Sequence, residues 1–243
     1  MSDFYPYANT QGFWDNTYAE GLVYGTSPSQ AVQKALEALR RIGRLEPKCC
    51  FVELGCGYGR DLIYVCDRLP LSSCKGIDAS RCAVELGRGL AGHRGRISFI
   101  EGDATVALER FDWNLEMPVY IYTHYFLQLF DAEAREKLVR LAIHNCSSDG
   151  LLILSEYSAN DTRFGQGEEV EPGTFVLYPD KPQHKIHFFT EDEISTLSTC
   201  PEVKVIYKCE YDEAEEIRGS ALHATSWLVI MGKAREEIHY DYL

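Results

Sequence analysis

Ten consecutive residues, Val52-Glu53-Leu54-Gly55-Cys56-Gly57-Tyr58-Gly59-Arg60-Asp61, pass from an apolar segment through three glycines into a polar, helix-compatible one. Glycine has no Cβ, so the chain can turn sharply there and bring its backbone against a ligand. The spacing G-x-G-x-G differs from the G-x-G-x-x-G of a dinucleotide site and from a Walker loop. Taken alone, the turn is equally a tight strand-to-helix connection. Two acids downstream change that balance. Asp78 stands nineteen residues after Gly59, at the end of a second apolar segment, where a carboxylate can accept both hydroxyl protons of a 2′,3′-diol. Asp103, in Glu101-Gly102-Asp103-Ala104, follows a third apolar segment and can reach an adenine amino group. Features in register at the ends of three successive strands point to a nucleoside-bearing ligand.

Other residues could act on a second reactant. His124 follows a fourth apolar segment directly; it either touches a substrate or caps the next turn. Tyr125 and Phe126 read as an apolar wall or as core. Glu156 closes a fifth segment and could steer a cationic acceptor, or be a solvated loop carboxylate. His187 and His223 lie near a long insert and a terminal hairpin; each is a substrate contact or a structural hydrogen-bonding histidine. Trp14 and Tyr18 could close over a ligand as a lid or simply pack an N-terminal arm. The stretch Asp212 to Glu216 reads as a solvated turn face, and Glu168-Glu169-Val170-Glu171 lies inside the insert.

The elements that must position these groups follow from periodicity. Val32, Ala35, Leu36, Leu39 and Ile42 recur at helical spacing, predicting a helix from Gln30 to Ile42 with Ser29 as its cap. Buried strands are expected at Cys49–Leu54, Cys74–Ile77, Ile97–Ile100, Pro118–Thr123 and Leu151–Glu156. Helices are expected at Arg60–Leu69, Arg81–Ala91 and Ala132–Asn145. This alternation indicates a parallel sheet covered on both faces. It breaks at Tyr157–Lys185, a polar connection longer than connectors usually are. Beyond it come a short helix, Glu191–Leu197, with a Thr190/Glu193 capping box, and two strands, Val203–Tyr211 and Ser226–Lys233, expected to pair antiparallel.

With these elements in place, the sequence resembles the class I S-adenosylmethionine-dependent methyltransferases over about residues 50–156, through the glycine turn, Gly76-Ile77-Asp78-Ala79-Ser80, the Gly102-Asp103-Ala104 step and the fourth strand. The resemblance implies an α/β fold: a Rossmann-like, seven-stranded, mostly parallel sheet with helices on both faces and a C-terminal antiparallel hairpin. It implies S-adenosylmethionine as cofactor. Glu53, Gly55 and Gly57 would hold the methionine end, Asp78 the ribose, and Asp103 and Ala104 the adenine; Cys56 and Ala79 would also touch the cofactor, and Thr123 would border the sulfonium. A narrower likeness is to the tellurite-resistance and thiopurine-type enzymes, which act on small molecules. It is carried by Phe13-Trp14-Asp15 with Tyr18, Tyr24-Gly25-Thr26, Pro28-Ser29, His187-Phe188-Phe189-Thr190 and His223 before Trp227. The Glu- and Pro-containing insert departs from that pattern.

Composition narrows the reading further. The 243 residues suit one domain, 1–243, with residues 1–30 as an arm or lid and 157–187 as an insert over the acceptor site. A formal net charge of −13 repels phosphate backbones and makes nucleic acid a poor partner. Arg88, His93, Arg94 and Arg96 form only a short cluster broken by glycines. No apolar run approaches the ~20 residues that cross a bilayer, so no membrane association is expected. Nine cysteines, an odd count with no C-x-x-C pair, give no support to zinc and suggest reduced thiols and a cytoplasmic setting. The expected activity is methyl transfer to an O, N or S nucleophile on a small-molecule acceptor, with His124, Glu156 and His223 as candidate catalytic residues and Trp14, Tyr18, Tyr125 and His187 as candidate substrate contacts. Alternatives are a protein methyltransferase and a noncatalytic cofactor-binding partner.

Overall fold

The computed structural model describes residues 8–46, 48–69, 73–110, 117–197, 203–217 and 220–233. In chain order the elements begin with α1 (Ala8–Ala19), α2 (Gln30–Arg41), β1 (Cys50–Leu54), α3 (Arg60–Arg68), β2 (Ser73–Asp78), α4 (Arg81–Ala91), β3 (Ile97–Glu101) and α5 (Ala104–Arg110). They continue with β4 (Val119–His124), α6 (Ala132–Asn145), β5 (Leu151–Tyr157), β6 (Glu168–Glu171), β7 (Thr174–Val176), β8 (Lys185–His187), α7 (Glu191–Thr196), β9 (Val203–Ile217) and β10 (Ser220–Lys233). Tyr5 and Tyr7 of the arm, and Cys200, lie outside the described residues.

Seven strands make one sheet in the order β3-β2-β1-β4-β5-β10-β9. The first five are parallel, and β10 is antiparallel to both β5 and β9. This is the expected seven-stranded, mostly parallel sheet with its C-terminal hairpin. Side chains alternate across each strand and build a separate core on each face. Phe51, Tyr120, Tyr122 and Ile153 pack beneath Leu36 and Leu39 of α2 and Leu62 and Val65 of α3. On the opposite face, Val52, Leu54, Ile121 and Leu152 meet Ala107 and Leu108 of α5 and Leu138 and Val139 of α6. The central parallel strands β1, β4 and β5 are therefore dry on both sides, which is why they read as continuous apolar runs rather than alternating ones.

The expected caps Ser29 and Thr190 are in place, and Ser80 and Asp131 cap two further helices. The Ser29 hydroxyl accepts from the Val32 amide, that of Ser80 from Ala83, and the Asp131 carboxyl from Ala134. Thr190 and Glu193 form the reciprocal capping box. Three features depart from expectation. The arm carries a full helix, α1, packed against α4. Residues 104–110 form α5, a short helix whose first turn is held by Asp103, the carboxyl of which accepts from the Val106 amide. The insert contains a three-stranded antiparallel sheet, β6-β7-β8. Its apolar side, Phe175, Ile186 and Phe188, is buried with Tyr157 and Ala224, so this long connection has a small core of its own.

The hairpin is also longer than its apolar segments suggested. Asp212 to Glu216 is part of β9 rather than a solvated turn, and Glu213 is only 1% exposed. Trp227 of β10 is buried, and its indole Nε1 donates to the Phe189 carbonyl at 3.0 Å, tying the hairpin to the end of the insert. Trp227→Ala is expected to lower unfolding free energy by about 3–5 kcal/mol through the cavity it leaves. Trp227→Phe, which removes mainly the hydrogen bond, should cost about 1–2 kcal/mol. Urea unfolding curves of the two variants would check that ranking.

Candidate functional site

Strand order reverses between β1 and β4, and ligands of open α/β sheets bind outside the carboxyl ends of strands at such a point. A cavity of about 440 Å³ lies there, bordered by residues after β1, β2, β3 and β4. The glycine turn forms one side. Gly55, Gly57 and Gly59 have φ of 67°, 52° and 71°, a region that side chains with a Cβ rarely adopt. Close packing adds to the requirement. A Cβ at Gly57 would stand 2.7 Å from the Tyr18 hydroxyl, and one at Gly55 would collide with the Phe126 ring.

Asp78, at the end of β2, binds this turn to the next. Its carboxyl accepts from the Gly57 amide at 2.7 Å and from the Ser80 amide at 2.8 Å. Burial pushes its pKa up to about 6 against the lowering effect of those two amides. Ala79, Asp103 and Ala104 border the same cavity, as do Glu53 and Cys56. Glu53 is 5% exposed, and its Oε2 has no hydrogen-bond partner. Burial first, and then the neighbouring Asp61, raise its pKa well above the usual carboxylate range. The cavity thus holds a buried acceptor with nothing to accept from.

Helix α1 closes the cavity on the Asp78 side. Gln11 Nε2 donates to the Ala79 carbonyl at 2.9 Å, and Asp15 accepts from the Ser80 hydroxyl at 2.7 Å and the Cys82 amide at 3.2 Å. These bonds hold Trp14 and Tyr18 against the opening, where Tyr24 joins them. The insert meets elements around the site through this helix, through Tyr125 and through the segment Leu127–Leu129, which packs against β8. His184 stacks on Phe13 at 5.2 Å and meets Trp14 edge-on at 5.8 Å. No residue of 157–187 borders the cavity itself, because β6-β7-β8 folds onto Tyr157 behind its wall. Glu168-Glu169-Val170-Glu171 forms the largely exposed edge strand β6 and does not border the cavity.

The opposite wall is His124, Tyr125 and Phe126. Tyr125 has φ of 53°, a left-handed conformation that costs a bulky residue about 1–2 kcal/mol. In a regular strand, neighbouring side chains would point to opposite faces. Here the turn in the backbone lets consecutive residues converge on Glu213. The Tyr125 hydroxyl donates to Glu213 Oε2 at 2.7 Å, and His124 Nε2 lies 3.3 Å from the same oxygen. Tyr211 donates to it at 3.2 Å, and the Ala31 amide donates to Oε1 at 3.0 Å. Burial disfavours ionisation of Glu213, but His124 and the Tyr125 hydroxyl outweigh it and hold the carboxyl down at about 2. On the other side of His124, Nδ1 is 3.8 Å from Asp61 Oδ2. Asp61 is itself fixed by the Ser29 amide and hydroxyl, at 2.7 and 2.6 Å, and by the Tyr122 hydroxyl at 3.2 Å.

Four residues singled out in the sequence stand elsewhere. Glu156 is 1% exposed and does not border the cavity. Its Oε1 accepts from the Thr123 hydroxyl and the Leu127 amide, and its Oε2 from the Gln128 amide, so it anchors the chain after β4. Thr123 is turned to Glu156 by that bond and is likewise absent from the cavity wall. His187 is buried between Thr174, 2.8 Å from Nδ1, and Glu193, 3.1 Å from Nε2, and joins the insert to α7. His223 is exposed on the outer part of β10. Conversely, Asp61 and Glu213 were not assigned to the site. Tyr211 and Glu213 are both buried while Asp212 and Ala214 between and beyond them are exposed. That period of two, continued from the apolar part of the strand, was the available signal for Glu213.

No protein-family model and no curated protein matches the sequence. Solved structures do. An S-adenosylmethionine-dependent methyltransferase from Anabaena variabilis ATCC 29413 superposes with a TM-score of 0.71 at 16% identity, over 96% of each chain. A structure described by the conversion of a disulfide bond into a thioacetal group during echinomycin biosynthesis gives 0.67 at 15% identity, over 92% of each chain. The glycopeptide N-methyltransferase MtfA complexed with sinefungin gives 0.57 at 14% identity, over 86% of this chain and 88% of that one. At these identities the likeness is one of fold, and the chain has the fold of the S-adenosylmethionine-dependent methyltransferases.

Proposed function

We propose that this protein transfers a methyl group from S-adenosylmethionine to a small-molecule acceptor. The observation that carries the reading is the partnerless, buried Glu53 Oε2 beside the Gly55–Gly59 turn, in a cavity whose far side offers Asp78 and Asp103. An ammonium group is the natural partner for such a carboxyl, since a neighbouring positive charge offsets the burial that now opposes its ionisation. Asp78 can accept from a ribose diol while keeping its bonds to Gly57 and Ser80, because an ionised carboxylate has about four acceptor positions. Ammonium, diol and adenine are the polar parts of the cofactor, and Glu53, Asp78 and Asp103 lie around one cavity in the order that would serve them.

The cofactor, when bound, supplies an activated methyl group; the chain supplies alignment and excludes water. Helix α1 closes the cofactor side with Trp14 and Tyr18. The remaining opening is walled by Tyr125, Phe126, Leu129 and Phe130, which suits an acceptor with an apolar or aromatic body. Enclosure by α1 favours a small molecule over a protein chain, and so do the neighbours whose descriptions name a glycopeptide or echinomycin biosynthesis. With a net charge of −13 and acids around the cavity, nucleic acid remains a poor acceptor. Among the described residues, no helix is long and apolar enough to cross a membrane. The cytoplasmic setting expected from the cysteines remains part of this proposal; those described are all free thiols.

Asp78→Ala should weaken binding of S-adenosylhomocysteine by about 3 kcal/mol, roughly two orders of magnitude in Kd. Calorimetry with a folded variant would test this, and unchanged affinity would remove the assignment of the ribose to Asp78. The wild-type protein should also lose affinity in acid. Asp78 has acceptor positions for both diol hydroxyls beside its two amides only when ionised, and burial has moved its titration up to about 6. Affinity is therefore expected to be level above pH 7 and to fall by up to about tenfold per unit below pH 6. The same titration repeated on Asp78→Asn should be flatter across that range.

A further inference from the structure

We infer that the acceptor is a hydroxyl compound, deprotonated during transfer by His124 Nδ1, and that Glu213 is the positioning residue that sets the tautomer and orientation of this imidazole. The inference rests on the methyltransferase reading above.

Glu213 decides which nitrogen is the base. An ionised carboxylate can only accept, so the 3.3 Å contact from His124 Nε2 to Glu213 Oε2 requires the proton on Nε2. In the neutral ring the lone pair is then on Nδ1. This nitrogen lies on the side of Asp61, and His124 and Asp61 both border the cavity. At 3.8 Å, Nδ1 and Asp61 Oδ2 are too far apart for a hydrogen bond but close enough for strong charge attraction once Nδ1 is protonated. The imidazolium that forms would stand between two buried carboxylates, and neither needs to move to stabilise it.

The surroundings fix the ring. Tyr125 packs on it at 4.1 Å between centroids, and Tyr122 is stacked at 6.5 Å. Glu213 cannot swing away, because Ala31, Tyr125 and Tyr211 all donate to it. The titratable groups facing His124 are Asp61 from α3, Glu213 and Tyr211 from β9, Glu156 from β5, and Tyr122 and Tyr125 from its own segment, with Arg60 on the same cavity. Carboxylates dominate this set, so the imidazolium formed in the step is offset by opposite charge. A base of this kind has little value for an acceptor that is already unprotonated or readily so. It suits an alcohol or phenol, whose O–H must break as the bond to carbon forms. In that step the acceptor oxygen's electron pair forms the O–CH3 bond, and the S–CH3 pair returns to sulfur and cancels its positive charge. The O–H proton passes to His124 Nδ1 and leaves later to solvent.

The tautomer can be read without an acceptor. Long-range 1H–15N spectra of the 15N-labelled protein saturated with S-adenosylhomocysteine should show His124, identified by its absence in His124→Gln, as the Nε2–H form at high pH. Glu213→Gln should lose that preference and shift the titration of His124 to lower pH. A His124 in the Nδ1–H form, or one indifferent to Glu213→Gln in a folded variant, would overturn the positioning role. Activity is then measured with S-adenosylmethionine and equal panels of phenols, thiols and amines. Phenol methylation should fall by about 10²–10⁴-fold in His124→Gln. In Glu213→Gln the rising limb of its pH–rate profile should move to lower pH. Transfer only to thiols or amines, or undiminished phenol methylation in His124→Gln, sinks the hydroxyl assignment. Calorimetry of cofactor binding separates the two levels: affinity retained in both variants isolates the failure to His124 and Glu213, whereas no binding by the wild type refutes the methyltransferase reading itself.

Discussion

The bond from the Gly57 amide to the Asp78 carboxyl joins the ends of two adjacent parallel strands at the point where both must release the chain. It can form only because Gly57 sits at φ 52°, which turns its N–H out of the strand direction and toward β2. The same conformation leaves room for the Tyr18 hydroxyl, so α1 can lie over the turn. A side chain at this position would strain the backbone and push against Tyr18 of α1. Asp78 in turn holds the Ser80 amide, and Ser80 both caps α4 and binds Asp15 of α1. One backbone geometry thereby connects the sheet, the first two crossover helices and the roof of the cavity.

A second network organises the other half of the site by a different means. Where the glycine turn depends on missing side chains, the His124–Tyr125 corner depends on a strained tyrosine. Its backbone cost is met by hydrogen bonds that converge on Glu213, a carboxylate delivered from β9, far along the chain. Asp61 plays the corresponding part from α3, satisfied by Ser29 and Tyr122. Buried carboxylates are expensive unless donors surround them. Glu213 and Asp61 have such donors, whereas Glu53 lacks one for Oε2. That contrast separates the carboxyls whose oxygens the fold supplies with donors from the one it leaves unsatisfied.

The insert affects the site indirectly. Its small sheet packs on Tyr157 and Tyr125, and His184 meets Phe13 and Trp14 of α1. Burial, followed by the nearby Lys181, lowers the His184 pKa to about 4, so its ring is neutral at physiological pH and packs as an aromatic. The insert thus braces the arm and the strained corner from outside while contributing nothing to the lining.

The sequence by itself determined the parallel sheet, its hairpin, and the glycine turn and strand-end acids that border the cavity. Those features are local: apolar runs bounded by caps, a glycine spacing, and acids one residue beyond strand ends, each legible from neighbours in the chain. Only the tertiary structure decided the roles of Glu156, Thr123, His187 and His223, which had been grouped with the site because each lies near a strand end or the insert. Burial and hydrogen bonds from distant segments turned the first three into internal anchors and left His223 on the surface. Glu213 shows the converse. In sequence it is one acid among several, and charge outweighed its alternation with Tyr211. It became a partner of His124 because β10 brings β9 within reach of α2 and the end of β4, a contact set by sheet order rather than by anything adjacent in the chain.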